Sequence, residues 1–319
     1  MIKIKEAQLL ITRKCNNDCS YCGLTHGHVS EINLNGWKKV VSNTKKLGID
    51  YFKILGGEPM TRAEDVFNLI NYIKQESASN VTLASNSLWD NSLIDRLCSS
   101  GLDVYASSLN TFKPEGSLDI KDFLKSQAAY QKLITIKGKV GKVYADIIVS
   151  SKNLDELVSI ATSLSSDGIP SYLFPIICGE CNTNYESRTR DTPFKLKEVD
   201  REKVKQIMHT LINMKEEGAL ILNTNNYLEN MHLYGLEGGS WKCKQPTELR
   251  IDADGSVMLC NDIRGEISDR LNLAQEDIAS PIDWWQKYYQ LWHETRKKTN
   301  CQCYWPCFLN SSKDYFEKK

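Results

Sequence analysis

Apolar residues along the chain alternate between two spacings. A short run at Leu9, Leu10 and Ile11 reads as a first strand. Trp37, Val40, Val41, Thr44 and Leu47 then fall on one face of a helix over 34–47, which Gly48 closes. A second strand spans 51–55. The alternation repeats with a helix carrying Val66, Leu69, Ile70 and Ile73, a strand over 81–84, a short helix over 92–98 and a strand over 102–106. It continues with a helix over 120–136, a strand over 143–149, a helix over 154–164 and a sixth strand over 171–177. Strands alternating with helices of about 10–15 residues predict an α/β fold with a parallel sheet and right-handed crossovers. The pattern alone admits a partial barrel or a doubly wound open sheet.

Beyond the sixth strand, 199–216 reads as an amphipathic helix with Val204, Ile207, Met208, Leu211 and Ile212 on one face, ended by Gly218. An apolar run over 219–222 leads into Asn223-Thr-Asn-Asn-Tyr227, which reads as a capped turn opening a helix that contains Leu228 and Met231. Two short strands over 247–251 and 256–260 join through Asp252-Ala-Asp-Gly255, a hairpin signal. Trp284, Trp285, Tyr288, Tyr289 and Trp292 mark a late helix whose rings are expected to pack.

At 319 residues the chain is long enough for one large core and an appendage. Its 40 basic and 40 acidic residues cancel, so no electrostatic footprint for nucleic acid or an anionic membrane is expected. No long apolar run or signal-peptide pattern is visible, and a cytoplasmic protein is expected. Eleven cysteines change the picture. Their grouping at 15–22, 178–181 and 301–307, in a chain too large to need staples, favours metal ligation over disulfides.

The densest group is Cys15-Asn-Asn-Asp-Cys19-Ser-Tyr-Cys22, on the loop leaving the first strand. Spacers of three and two residues let one loop present three thiolates to a single centre. Three ligands on a four-iron cluster leave one iron open for chemistry, whereas a zinc knuckle would need a fourth ligand from elsewhere. Gly56-Gly57-Glu58-Pro59 follows the second strand, where two glycines allow close backbone approach and φ values that other residues avoid. Polar groups end the next strands: Ser85-Asn86-Ser87 after the third, Ser107 and Ser108 at the fourth, and Asn153 after the fifth. Cys178-Gly-Glu-Cys181 ends the sixth and runs into a polar segment with Arg188 and Arg190.

Cys15-x3-Cys19-x-Tyr21-Cys22 resembles the signature of the radical S-adenosylmethionine (radical SAM) superfamily. The resemblance implies a partial (β/α)6 TIM-like barrel over 1–218. Cys15, Cys19 and Cys22 would hold a [4Fe-4S] cluster whose fourth iron is chelated by SAM. One electron then cleaves SAM to methionine and a 5′-deoxyadenosyl radical that takes hydrogen from substrate. Gly56, Gly57, Glu58 and Pro59 look like the family's GGEP motif for the SAM amino group, with Tyr21, Asn86, Ser107 and Ser108 as further cofactor contacts. Either of Cys178 and Cys181 would serve as a hydrogen donor, with an incidental loop pair as the plainer reading.

Cys243-x11-Gly255-x4-Cys260 is similar to the opening of a SPASM/twitch extension, which implies a small hairpin-plus-helix domain over 219–319. Its expected ligands for a second, auxiliary [4Fe-4S] cluster are Cys243, Cys260, Cys303 and Cys307, with Cys301 as the alternative; structural zinc is the competing occupant. The implied activity is that of a radical SAM oxidoreductase or maturase acting on a peptide by oxidation, crosslinking or epimerisation. A dehydrogenase or epimerase of a small molecule such as an amino sugar or cyclitol is the alternative, and a non-catalytic iron–sulfur or zinc protein the second. With 14 residues ahead of Cys15, no fused N-terminal peptide-recognition domain is expected. A reducing partner such as flavodoxin or ferredoxin is expected.

Overall fold

The computed structural model describes residues 4–22, 29–76, 79–176, 194–237, 246–259 and 271–298. Its first half alternates β1 (Glu6–Leu10), α1 (Leu34–Lys46), β2 (Tyr51–Leu55), α2 (Ala63–Glu76), β3 (Asn80–Ser85), α3 (Ile94–Ser99), β4 (Val104–Ser108) and α4 (Ile120–Ile136). It continues with β5 (Lys142–Val149), α5 (Leu157–Ser166), β6 (Ser171–Pro175), α6 (Arg201–Glu216), α7 (Asn225–Glu229) and α8 (Met231–Glu237). The hairpin β7 (Glu248–Ile251) and β8 (Val257–Met258) and the helix α9 (Pro281–Lys298) complete it.

Local chemistry accounts for the helix ends. Asn33 caps α1 by accepting from the Gly36 amide, and Lys45 and Lys46 lie in its last turn, where the helix dipole favours cations. Asp119 caps α4 by accepting from the Asp122 amide. Gly48 takes the positive φ, +83°, that ends α1 and turns the chain into β2.

The strands form one sheet in the order β6-β5-β4-β3-β2-β1-β7-β8. Every pairing is parallel except that of β7 with β8. Six β/α units make the partial barrel, and the C-terminal hairpin continues its sheet, with Glu6–Leu9 of β1 paired to Glu248–Ile251 of β7. At the other edge, the Ser171 amide donates to the Leu220 carbonyl and the Leu222 amide to the Ser171 carbonyl. Asn223, wholly buried, extends that edge with its side chain, which exchanges hydrogen bonds of 2.8 and 2.7 Å with the Leu173 backbone. Thr224 then caps α7, as the turn pattern predicts.

One face of the sheet, including Phe52, Ile54, Val81, Leu83, Tyr105 and Ile147, packs under the helices in a core that runs from Ile4 to Trp292. The aromatic helix α9 belongs to this core through Trp284, Tyr288 and Trp292, and Trp285 donates its indole N–H to the Leu47 carbonyl at the end of α1. Val104, Ala106 and Tyr144 form a separate cluster on the inner face with Ala84, Tyr172 and Leu222.

Register decides where the site lies. Leu10 pairs with Leu55, Ser85 with Ser107, and Ser108 with Asp146, so the C-terminal ends of β1 to β5 lie along one rim. Chemistry on parallel barrels collects at this rim.

Candidate functional site

The segment leaving β1 is held from several sides before it reaches the first cysteine. Arg62, in the turn after β2, donates to the carbonyls of Ile11 and Ile32 at 2.8 and 2.9 Å. Glu31 accepts from the Thr12 hydroxyl and the Arg13 amide. The buried Arg13 guanidinium reaches Asp252 in the hairpin turn, with Nε–Oδ1 at 3.2 Å and Nη2–Oδ2 at 3.0 Å.

Gly56 and Gly57 lie flush against this segment. The Gly57 amide donates to the Thr12 carbonyl and the Glu58 amide to the Lys14 carbonyl, both at 2.8 Å. A Cβ on Gly56 would sit 2.3 Å from the Thr12 oxygen, and one on Gly57 2.3 Å from the Lys14 oxygen. Neither glycine has a positive φ, so of the two reasons expected from the sequence, close approach rather than unusual backbone angles explains both.

Glu58 is fully buried and ties β2 to β3. Its carboxylate accepts from the Met60 amide (3.0 Å), the Ser85 hydroxyl (2.9 Å) and the Asn86 amide (2.7 Å). Burial pushes its pKa up to about 7, against the pull of the Asn86, Met60 and Ser85 hydrogen bonds. Pro59 opens the following turn. Asn86 completes the junction by donating from Nδ2 to the Asn16 side chain at 2.8 Å and, longer, to Cys15 Sγ at 3.7 Å. Loops from three strands thus meet at the first cysteine.

The cysteine loop turns through a 3.0 Å bond from the Cys22 amide to the Cys19 carbonyl. Asn17 aims its backbone N–H at Cys15 Sγ (3.4 Å) and its side-chain amide at Cys19 Sγ (3.3 Å). Burial raises the Cys15 thiol to about 11, with Glu58, Cys19 and Cys22 adding to the rise against the Asn17 hydrogen bond. Burial also raises Cys19, while the Lys125 ammonium pulls the other way. Thiols so placed ionise only alongside a compensating cation. Among the described residues no group of three His, Cys, Asp or Glu side chains converges on a position for a single metal ion.

Tyr21 is buried with Leu118 and Ile176, and Cys19 and Cys22 pack against this group. Its hydroxyl accepts from Lys125 Nζ at 3.0 Å, and the same ammonium reaches Asp122 at 2.7 Å. Nothing in the amphipathic pattern of α4 marks Lys125 as buried; the i,i+3 spacing from Asp122 was the signal available.

The remaining expected residues fall in different places. Ser107 is buried between β-strand ends, bonded to Ser87 and to the Ser85 carbonyl. Ser87 itself has φ +65°, a conformation rare for serine, and its hydroxyl also meets Tyr105 at 2.7 Å. Ser108 is half-buried in register with Asp146. Asn153 is committed to structure: Nδ2 donates to the carbonyls of Asn110 and Ile148, and Oδ1 accepts from Ser150. Cys178, Cys181, Cys243, Cys260, Cys301, Cys303 and Cys307, with Arg188 and Arg190, lie outside the described residues.

Below the rim, alternation along the strands turns Glu6, Gln8, Lys53, Asp146, Glu248 and Arg250 away from the helix-packed face. Lys53 donates to the Tyr144 hydroxyl at 3.2 Å; burial opposes its charge, and Asp146 and Glu6 hold its pKa up. Arg250 pairs with Glu248 at 3.0 Å, and Gln8 donates to both Glu6 and Glu248.

A parallel β/α partial barrel with three thiols on the loop after its first strand, backed by a close-packed Gly-Gly turn, defines an enzyme class that holds an iron–sulfur cluster at its rim. Residues 9–149 match the model of the radical SAM superfamily, so that part of the chain is a radical SAM domain. A probable GTP 3′,8-cyclase of Methanococcus maripaludis is 33% identical over 115 residues, 35% of this chain and 38% of that protein. The chain thus spans under two-fifths of that relative's length. A GTP 3′,8-cyclase of Lactiplantibacillus plantarum is 26% identical over 291 residues, 82% of each chain. Streptococcus suis SuiB shares the fold: its complex with S-adenosylmethionine superposes with a TM-score of 0.65 at 14% identity, over 91% of this chain and 67% of SuiB. Its complex with the precursor peptide SuiA gives 0.64 at 15%, over 91% and 66%.

The family implies SAM and one [4Fe-4S] cluster, and the residues of the 15–22 loop fit the cluster. Cys15, Cys19 and Cys22 supply an all-sulfur donor set with N–H donors from Asn17 already aimed at two of the sulfurs. Among the described residues no helix is long and apolar enough to cross a membrane.

Proposed function

We propose that this enzyme acts on a peptide, as a maturase that oxidises, crosslinks or epimerises a residue. The observation that carries the reading is the charge balance of the inner face. Lys53 and Arg250 are answered there by Asp146, Glu6 and Glu248, so these inner-face residues offer no surplus of positive charge to a triphosphate. A peptide brings little net charge to such a surface. The SuiB fold, solved with its precursor peptide, supports the same reading.

When bound, the cluster and SAM supply an oxidant able to take a hydrogen atom from an unactivated C–H bond. The chain's own part is positional. Cys15, Cys19 and Cys22 anchor the centre, the Gly56–Gly57 backbone closes against its stem, and Glu58 and Asn86 hold the β2 and β3 loops in one rigid junction. Cys178 and Cys181 are proposed hydrogen donors for an epimerising reaction. A second cluster on Cys243, Cys260, Cys303 and Cys307, or on Cys301 in place of one of these, belongs to the same proposal, with a flavodoxin or ferredoxin as reductant.

The names of the curated relatives favour a small-molecule substrate as the second reading. Reconstituted protein with SAM and dithionite separates the two. Deuterium moving from a labelled peptide, encoded in a neighbouring reading frame, into 5′-deoxyadenosine supports the maturase. Turnover of GTP to a cyclised product under the same conditions overturns it.

A further inference from the structure

The radical SAM reading uses the sulfurs of the 15–22 loop and leaves aside what lies behind them. Lys125 ranks among the largest fully buried side chains. Burying an ammonium costs several kcal/mol unless it is paired, on the order of what a whole domain gains in stability. A leucine or methionine would fill this position on α4 without that cost. Here the charge is kept and aimed: Nζ bridges Asp122 Oδ1 (2.7 Å) and the Tyr21 hydroxyl (3.0 Å). Asp122 is pinned behind it by Asn110 Nδ2 at 2.7 Å, and Asn110 Oδ1 accepts from the Ile148 amide of β5. The ion pair is therefore an oriented dipole with its positive end toward the cysteine loop.

We propose that Lys125 is a positioning residue for the N-terminal centre: through Tyr21 it holds the Cys19–Cys22 turn on α4, and its charge makes the cluster bound there easier to reduce. The inference rests on the radical SAM reading. A cluster on three thiolates gains negative charge when it accepts one electron from a low-potential donor such as dithionite; no bond breaks and no proton moves. A fixed cation in a poorly screened interior stabilises the reduced form over the oxidised one. Asp122 weakens the effect without cancelling it, because its carboxylate bonds to Lys125, Asn110 and the Leu118 amide while the ammonium itself reaches Tyr21 in the cysteine loop.

The test uses full-length protein reconstituted anaerobically, with iron content measured first and the midpoint potential then taken by EPR-monitored dithionite titration. The signal that changes on adding SAM identifies the N-terminal centre. Lys125→Gln keeps hydrogen-bonding capacity without charge, and Lys125→Arg keeps charge. Lys125→Gln is expected to hold wild-type iron and lose at least tenfold in the reduction equilibrium, roughly 59 mV for a one-electron couple, while Lys125→Arg stays near wild type. Equal potentials in Lys125→Gln and wild type overturn the proposal, as does an equal shift in Lys125→Arg. Should Lys125→Gln fail to fold, the neutral pair Lys125→Gln/Asp122→Asn is expected to shift in the same direction by a smaller amount, since the opposing carboxylate is lost too, and an unshifted potential there overturns the proposal. Failure of both to take up iron counts against tuning, which requires a cluster that survives loss of the charge. A wild-type protein that binds no iron would sink the radical SAM reading itself, a separate outcome.

Discussion

Arg13 and Asp252 lie 239 residues apart in the chain and form a buried two-point ion pair at the sheet's rim. Arg13 precedes the first cysteine by two residues, and Asp252 opens the turn of the C-terminal hairpin. The hairpin therefore helps to set the stem of the cluster loop. Removing one member leaves the other charged and buried, so Arg13→Ala or Asp252→Ala is expected to cost about 3–5 kcal/mol. Urea denaturation of the iron-free protein checks this; a loss under 1 kcal/mol would mean that solvent reaches the remaining charge.

Gly57→Ala places a methyl group 2.3 Å from the Lys14 carbonyl and 2.7 Å from that of Arg13. Both contacts are backbone, with no flexible side chain to yield. The expected outcome is a stability loss at or above about 3 kcal/mol, the upper end for overpacking, together with lower iron uptake. Wild-type iron content in this variant would contradict the close apposition of the two loops.

Glu58 gives the molecule a pH dependence whose sign follows from burial. Its folded pKa, about 7, stands above the ordinary 4.5, so the fold favours the protonated form. That contribution is complete below pH 4.5, falls as pH rises toward 7, and is constant above it; over this window it amounts to about 3 kcal/mol. Glu58→Gln, a fixed neutral analogue, is expected to show no such decline. Parallel slopes for the two proteins in urea titrations from pH 4.5 to 7.5 would remove Glu58 as the source.

Iron counting tests the ligand assignments. With both proposed clusters filled, the wild type is expected to hold about eight irons, and Cys15→Ala about four. A wild-type total near four would defeat the second cluster and leave the N-terminal site standing.

Serine at position 87 is held at φ +65° by bonds to Ser85, Tyr105 and Ser107. Ser87→Ala keeps the unfavourable angle and loses the hydroxyl contacts, whereas Ser87→Gly loses the contacts but relieves the angle. The glycine variant is expected to be the more stable of the two by about 1 kcal/mol. The reverse order in thermal melts would show that the angle carries no strain.

The repeat of strand and helix, the helix faces and the hairpin at 252–255 were legible in the chain because spacing and turn chemistry act over a few residues. So were the cysteine loop and the Gly-Gly-Glu-Pro turn, whose short spacers carry their own geometry. Close backbone approach and φ freedom were both expected of those glycines; the fold uses the first, and the sequence did not reveal that residues 12–14 are what they approach. It also left Lys125 as one more lysine on a mixed helix, Asp252 as a turn residue and Asn223 as part of a cap. Each has its role through a partner 50 to 239 residues away. Local pattern determines which elements form, since backbone hydrogen bonding and apolar periodicity are short-range. Which charges end up buried, and what answers them, is decided once the strands pair and water leaves, because only the closed sheet makes an unpaired ion costly.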